Sequence, residues 1–193
     1  MPVLPTRRIA IFALHFVLIY SALILSWPLL RPVYRPLYCT FGNLVFQGGR
    51  ASTTFREREG DEELDIALRL EKRGSGVWAE METNSRLIGY LPTVSLIAFV
   101  LATPIPWKRR RKALLQGLLL VSLFVALRMA IPLWRDFSRP DALQVYHPGP
   151  PGRWFLGILE RAFLNAPASW FVVPIFVWVA VAFRRADWEI VEE

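Results

Sequence analysis

"TNSRLIGYLPTVSLIAFVLATPIPWKRRRK", residues 83–112, decides how the rest of the chain is read. Its opening is polar, with one arginine, Arg86. Leu87 to Pro106 then gives 20 uncharged residues, and Lys108, Arg109, Arg110, Arg111 and Lys112 close the stretch. A helix needs about 20 apolar residues to cross a hydrocarbon core about 30 Å thick. Leu87–Pro106 has that length and reads as a span with a basic stop. Asn84 or Ser85 is placed to cap its start, and Tyr90 and Trp107 suit the two interfaces.

Working outward, three more runs look alike. Ile9–Leu30 is 22 residues with no charge beyond what His15 carries, Ala113–Trp134 is 22 with one charge, Arg128, and Ala166–Phe183 is 18 uncharged. The chain has 193 residues, 54% hydrophobic, and its charged side chains are almost absent from these runs. The expectation is an integral membrane protein, mainly α, with four transmembrane helices: the first within residues 1–30, then 87–106, 113–134 and a last one within 166–193. A cleaved signal peptide at the start is disfavoured, because the apolar part is too long and no small-x-small site follows. Trp27-Pro28-Leu29-Leu30-Arg31-Pro32 reads as the interfacial end of a retained helix.

Short loops rich in Lys and Arg stay cytoplasmic. Arg7 and Arg8, the cluster at 108–112, and Arg184 with Arg185 fall on one side if all four runs span. This predicts a multi-pass protein of the bacterial inner membrane, both termini cytoplasmic, with residues 31–86 and 135–165 outside. Residues 31–86 hold nine basic and nine acidic residues, so the net charge of +7 is mostly a cytoplasmic-face effect. It therefore points to no nucleic-acid partner. The arginines at 109–111 are placed to touch anionic lipid head groups, at about 1 kcal/mol per residue.

The segment 31–86 has a pattern of its own. Leu37, Phe41, Leu44 and Val45 recur at helical spacing and predict an amphipathic helix, broken at Gly48-Gly49. Thr53, Phe55, Glu57 and Glu59 alternate with Thr54, Arg56 and Arg58, and Gly60-Asp61 reads as a turn. Leu64, Ile66, Leu68 and Leu70 alternate with charged neighbours, the clearest half-buried strand in the chain. After a turn at 73–76, Val77, Ala79 and Met81 alternate again. The reading is a three-stranded antiparallel meander, an α+β insertion between the first two spans. Its apolar face is expected to cover the helix, the membrane surface or a partner. Residues 135–165 read as a loop rich in Pro and Gly, followed by an interfacial helix over 153–164 with Trp154, Phe155, Ile158 and Leu159 on its apolar side.

Chemistry-bearing residues are sparse. Cys39 is the only cysteine, so no intrachain disulfide forms, and the histidines are His15 and His147. A catalytic thiolate needs a base and a lowered pKa. The catalytic alternative is an outer-face pair of Cys39 and His147, with Arg86 or Arg135 binding an oxyanion or carboxylate; an inert, half-buried cysteine is the plainer reading. Nothing shows metal-ligand spacing, and no cofactor motif occurs. The spans contain no acid, which argues against a proton-coupled transporter. Arg128 is the one definite charge in a span: a functional residue or an arginine snorkelling to the outer interface. The His15 imidazole is too deep to partner it, but Asn165, Asp136, a lipid phosphate or another protein lie at a suitable depth, and it joins Arg86 and Leu68 as a candidate contact for lipid or a partner.

The stretch from "TNSRLIGYLPTVSLIAFVLATPIPWKRRRKALLQG" through "LLLVSLFVALRMAI", roughly residues 83–131, resembles small membrane proteins encoded alongside exosortases. The likeness is of pattern: an anchor helix, a short β-rich outer segment, a proline-containing span ending near "ATP", and a basic turn. It implies an accessory role in sorting exported proteins. Exosortases themselves carry a cysteine, an arginine and a histidine at outer helix ends, but Cys39 lacks their sequence context, so no site residue is transferred. The expected function is a non-enzymatic accessory or assembly protein with no cofactor, whose partners are the lipid bilayer and another membrane protein. A structural subunit of a larger complex is the remaining reading.

Overall fold

The computed structural model describes residues 6–58, 64–164 and 169–182. Their order is α1 (Thr6–Leu25), α2 (Trp27–Phe46), β1 (Ala51–Glu57), β2 (Ile66–Lys72), β3 (Val77–Thr83), a π-helical turn (Arg86–Tyr90), α3 (Leu91–Ala102), α4 (Trp107–Asp136), α5 (Pro150–Phe163) and α6 (Ser169–Ala182). The Gly60-Asp61 turn, Asn165 and the Arg184-Arg185 cluster lie outside the described residues. The helices and strands divide into two compact units: α1, the start of α2 up to Leu29, α3, α4 up to Leu123 and α6 from Trp170; and α2 from Leu30, the sheet, the π turn, the rest of α4 and α5.

The four expected spans are not there. Among the described residues one helix, α4 with 30 residues, is long and apolar enough to cross a membrane; a second counts only if α1 and α2, bent by 71°, are taken as one. The multi-pass topology and the inner-membrane placement built on four spans are therefore withdrawn. The reasons are local. The run Ile9–Leu30 is broken at Ser26, because Pro28 has no N–H to continue the helical ladder; Leu29 N–H turns instead to the Ser26 carbonyl at 3.0 Å. The run Leu87–Pro106 and its flank give only 12 α-helical residues, 17 with the π turn, before Pro104 and Pro106. Its apolar side chains are used inside the protein: Leu96, Ala98 and Val100 are all 0% exposed. Helix α6 has 14 described residues.

In the helical unit, Phe16 stacks on Phe99 at 4.3 Å and Phe99 on Trp178 at 5.1 Å. The Trp178 indole donates to Thr103 Oγ1 at 2.8 Å. Gly117 lets α4 lie close to α3, since a Cβ there would stand 2.8 Å from a Leu96 methyl. Two of the five basic residues at 108–112 bind backbone carbonyls. Arg109 donates to the carbonyl of Ala182, the last described residue of α6, at 2.8 Å, and Arg110 to the Thr103 carbonyl at 2.9 Å, the latter a cation on an orphan acceptor at the end of α3. His15 bonds the Ile11 carbonyl of its own helix at 2.7 Å rather than a neighbouring helix.

In the second unit the strands form an antiparallel sheet in the order β1-β2-β3, with Phe55 opposite Leu68 and Leu68 opposite Met81. The alternation in the sequence sorts the two faces. Phe55, Ile66, Leu68 and Leu70 are each at most 2% exposed, while Arg69 lies over the Trp78 ring on the other face, 4.8 Å from its centre. Helix α2 covers the apolar face. Tyr38 and Phe46 pack on Phe55 at 6.3 and 6.0 Å. Asn43 grips the same residue twice, accepting from Phe55 N–H at 2.7 Å and donating to its carbonyl at 3.1 Å. This helix begins ten residues before the amphipathic stretch at 37–45 and runs through Pro32 and Pro36. Pro28, Pro32 and Pro36 share one exposed stripe, so the backbone bonds they omit all fall on the side away from the sheet. Helix α5 likewise starts earlier than expected, because Pro150 and Pro151 occupy its first turn, where a missing N–H costs nothing.

Candidate functional site

The polar centre of the second unit is Asp65, 1% exposed at the entry to β2. Both oxygens are used by one residue: Oδ1 accepts Ser85 N–H at 2.8 Å and Oδ2 accepts the Ser85 hydroxyl at 2.7 Å. Arg35, one helical turn before Cys39 on α2, adds charge to this contact. Its Nε stands 3.8 Å from Asp65 Oδ2 and 3.6 Å from Glu57 Oε2, and its Nη2 donates to the carbonyls of Arg58 and Asp65. Arg58 in turn pairs with Glu82. The cluster joins α2, the β1–β2 connection and the start of the next helix, where Asn84 Oδ1 caps Leu87 N–H at 2.8 Å.

A second cation, this one buried, meets the same helix start. Arg128, 7% exposed, donates Nη1–H to the Leu87 carbonyl at 3.1 Å and lies over the Phe124 ring at 5.8 Å. The chain itself explains why this carbonyl is open. In the i to i+5 register of the π turn, its donor would be residue 92, and Pro92 has no N–H. Arg128 supplies the missing donor. Among the described residues no carboxylate pairs with Arg128, and its Nε is buried without a hydrogen-bond partner. Asp136, one of the partners considered for it, is taken by Arg135 and Arg139 at 3.4 and 3.6 Å. An arginine so buried is not snorkelling into solvent.

The other sequence candidates are not brought together. Cys39 is buried at 8% exposure on α2. Burial foremost, and then the Glu57 carboxylate, push its thiol up to about 11, with Arg35 pulling the other way. A nucleophilic cysteine needs the opposite shift. His147 is exposed in the connection before α5. Leu68, 2% exposed, belongs to the covered face of the sheet and presents no surface to a partner. Arg86 is half-buried within the π turn. Among the described residues no group of three His, Cys, Asp or Glu side chains is arranged to hold a metal ion.

No protein-family model, curated protein or solved structure matches this chain.

Sequence reasoning missed Asp65 and Arg35. Asp65 falls on a polar position of the alternation and so reads like its solvated neighbours, although it is 1% exposed. For the Arg128 contact, the signal is a proline near the start of one apolar helix together with a lone arginine in another.

Proposed function

We propose that the chain is a non-catalytic accessory protein that works at a lipid bilayer, held there by α4, with its folded sheet unit available to a partner membrane protein. The observation that carries this is a stripe on α4. Leu115, Leu119 and Leu123 follow one another at i, i+4, i+8 and are 72%, 72% and 69% exposed. Leu14 and Leu18 of α1, at 58% and 60%, add to the uncovered apolar surface. Monomeric proteins in water rarely leave a contiguous apolar patch of this kind open. Burying each such leucine is worth about 1.5–3 kcal/mol. Lys108, Arg111 and Lys112, exposed at the start of the same helix, suit anionic head groups. The proposal needs one embedded helix and does not restore the four spans. Its non-catalytic part is supported by the depth and raised pKa of Cys39 and by the exposed position of His147. The association with an exosortase-type system rests on the resemblance over residues 83–131 alone.

The test is extraction. Membranes from cells making the full chain, washed with alkaline carbonate, retain the native protein. The combined Leu115→Glu, Leu119→Glu and Leu123→Glu chain is released. Recovery of the native chain in the aqueous wash overturns the proposal.

A further inference from the structure

The second unit holds an apolar cavity of about 800 Å³, open to the surface. Phe46 and Thr53 contribute from α2 and β1, Ile131 and Trp134 from α4, and Phe155 and Leu159 from α5. Its volume falls within the range of about 300–1,000 Å³ typical of ligand sites. The walls are fixed by contacts outside the lining itself. Arg135 pairs with Glu160 at 2.7 Å, joining α4 to α5, Phe124 packs edge-on against Phe163 at 5.9 Å, and Val145 and Tyr146 both donate to the Phe137 carbonyl, at 2.9 and 3.1 Å.

No charged side chain lines this space; its hydrogen-bonding groups are those of Thr53, Trp134 and Tyr146. That composition selects the occupant. A peptide would bring backbone N–H and C=O groups that need partners, and the walls offer few. An unbranched hydrocarbon chain brings none. Entry is marked by Phe155, which lines the cavity and is still 50% exposed, beside Trp154 at 70%. The apolar face of α5 thus runs from the surface into the cavity.

We propose that this cavity binds an acyl chain of a bilayer phospholipid. The inference rests on the reading of the chain as bilayer-bound, and it adds a saturable site for one kind of molecule. The bound lipid would bridge α2, the sheet, α4 and α5, so occupancy would set how firmly the sheet unit is held together.

The experiment uses the full chain in vesicles of phosphatidylethanolamine and phosphatidylglycerol containing a phospholipid with a diazirine on one acyl chain. After illumination, labelled peptides are mapped by mass spectrometry while the share of probe lipid is raised. Labelling at 130–137 and 155–159 is expected to saturate, and labelling at Leu115, Leu119 and Leu123 to rise in proportion to the probe. Ala130→Trp, which fills the cavity, is expected to lower labelling at 155–159 about tenfold, the effect of about 1.4 kcal/mol of lost binding, and to leave labelling at 115–123 unchanged. The saturation measurement needs only the native chain, so it decides the matter even where the tryptophan disturbs folding. Proportional, non-saturating labelling at 130–137 and 155–159, or none there, with normal labelling at 115–123, overturns the cavity site alone. Absence of labelling at 115–123 overturns the bilayer reading itself.

Discussion

Arg35, half-buried with a side chain 14% exposed, and Arg128, buried at 7%, are guanidinium groups at the same helix start, and they are satisfied in opposite ways. Arg35 faces two carboxylates and two carbonyls. Arg128 has one carbonyl and an aromatic ring. The first is a charge neutralised by charge. The second is a cation whose hydrogen bond replaces one that the backbone lost at Pro92. A buried pair broken by removing one partner leaves an uncompensated ion and costs about 3–5 kcal/mol. A buried hydrogen bond lost together with its charged donor costs less, because the desolvated cation goes too. The comparison teaches that burial alone does not rank two arginines; the partner does.

The largest expected effect comes from breaking the first site. Asp65→Ala leaves Arg35 with Glu57 as its remaining carboxylate and strips the acceptor from both Ser85 donors, and should destabilise the sheet unit by about 3–5 kcal/mol. Thermal unfolding of the chain in detergent measures it. Asp65→Asn, which keeps one acceptor and loses the charge, should fall between. An unfolding midpoint for Asp65→Ala equal to the native one would mean that the cluster contributes nothing.

The second site should yield less. Arg128→Leu is expected to cost about 1–2 kcal/mol, the desolvation of one unpaired carbonyl. Pro92→Ala restores a backbone N–H where the Leu87 carbonyl needs one, so in the Pro92→Ala background the cost of Arg128→Leu should shrink. A double-mutant cycle reads this directly. Strict additivity would show that Arg128 is not standing in for the proline.

The smallest effect is a report from Cys39, four residues after Arg35. With its thiol pushed up to about 11, maleimide addition near neutral pH should be far slower than for a free cysteine at about 8.5. The sign for stability follows: the folded chain holds the proton where the unfolded chain has released it, so stability falls as pH rises above about 8.5. Removing the positive neighbour in Arg35→Leu should raise the thiol further and slow the reaction again. Arg128→Leu should leave the rate unchanged. Faster modification in Arg35→Leu, after unfolding is excluded by circular dichroism, would contradict the electrostatic account.

The sheet was legible because alternation is a local consequence of geometry. Successive side chains point to opposite faces, so Leu68 and Arg69 declare inside and outside before any partner is known. The amphipathic stretch at 37–45 was legible for the same reason, although its helix continues upstream through Pro32 and Pro36, which the exposed stripe tolerates. The basic run at 108–112 read as a turn ahead of a helix at 113, but it forms the first turns of α4; the bonds from Arg109 to the Ala182 carbonyl and from Arg110 to the Thr103 carbonyl were not legible, since they depend on which carbonyls arrive nearby.

By itself, then, the sequence determined the periodic elements, the sheet and its two faces, and the places where proline and charge interrupt apolar runs. Tertiary structure decided what each apolar run faces. Hydropathy assigns a leucine the same value whether a bilayer or another side chain covers it. Leu96 and Leu119 are therefore indistinguishable in the sequence, yet one is 0% exposed against Gly117 and the other 72% exposed on α4. The partner of Arg128 was decided in the same way, by a carbonyl that becomes available only where a π turn meets Pro92.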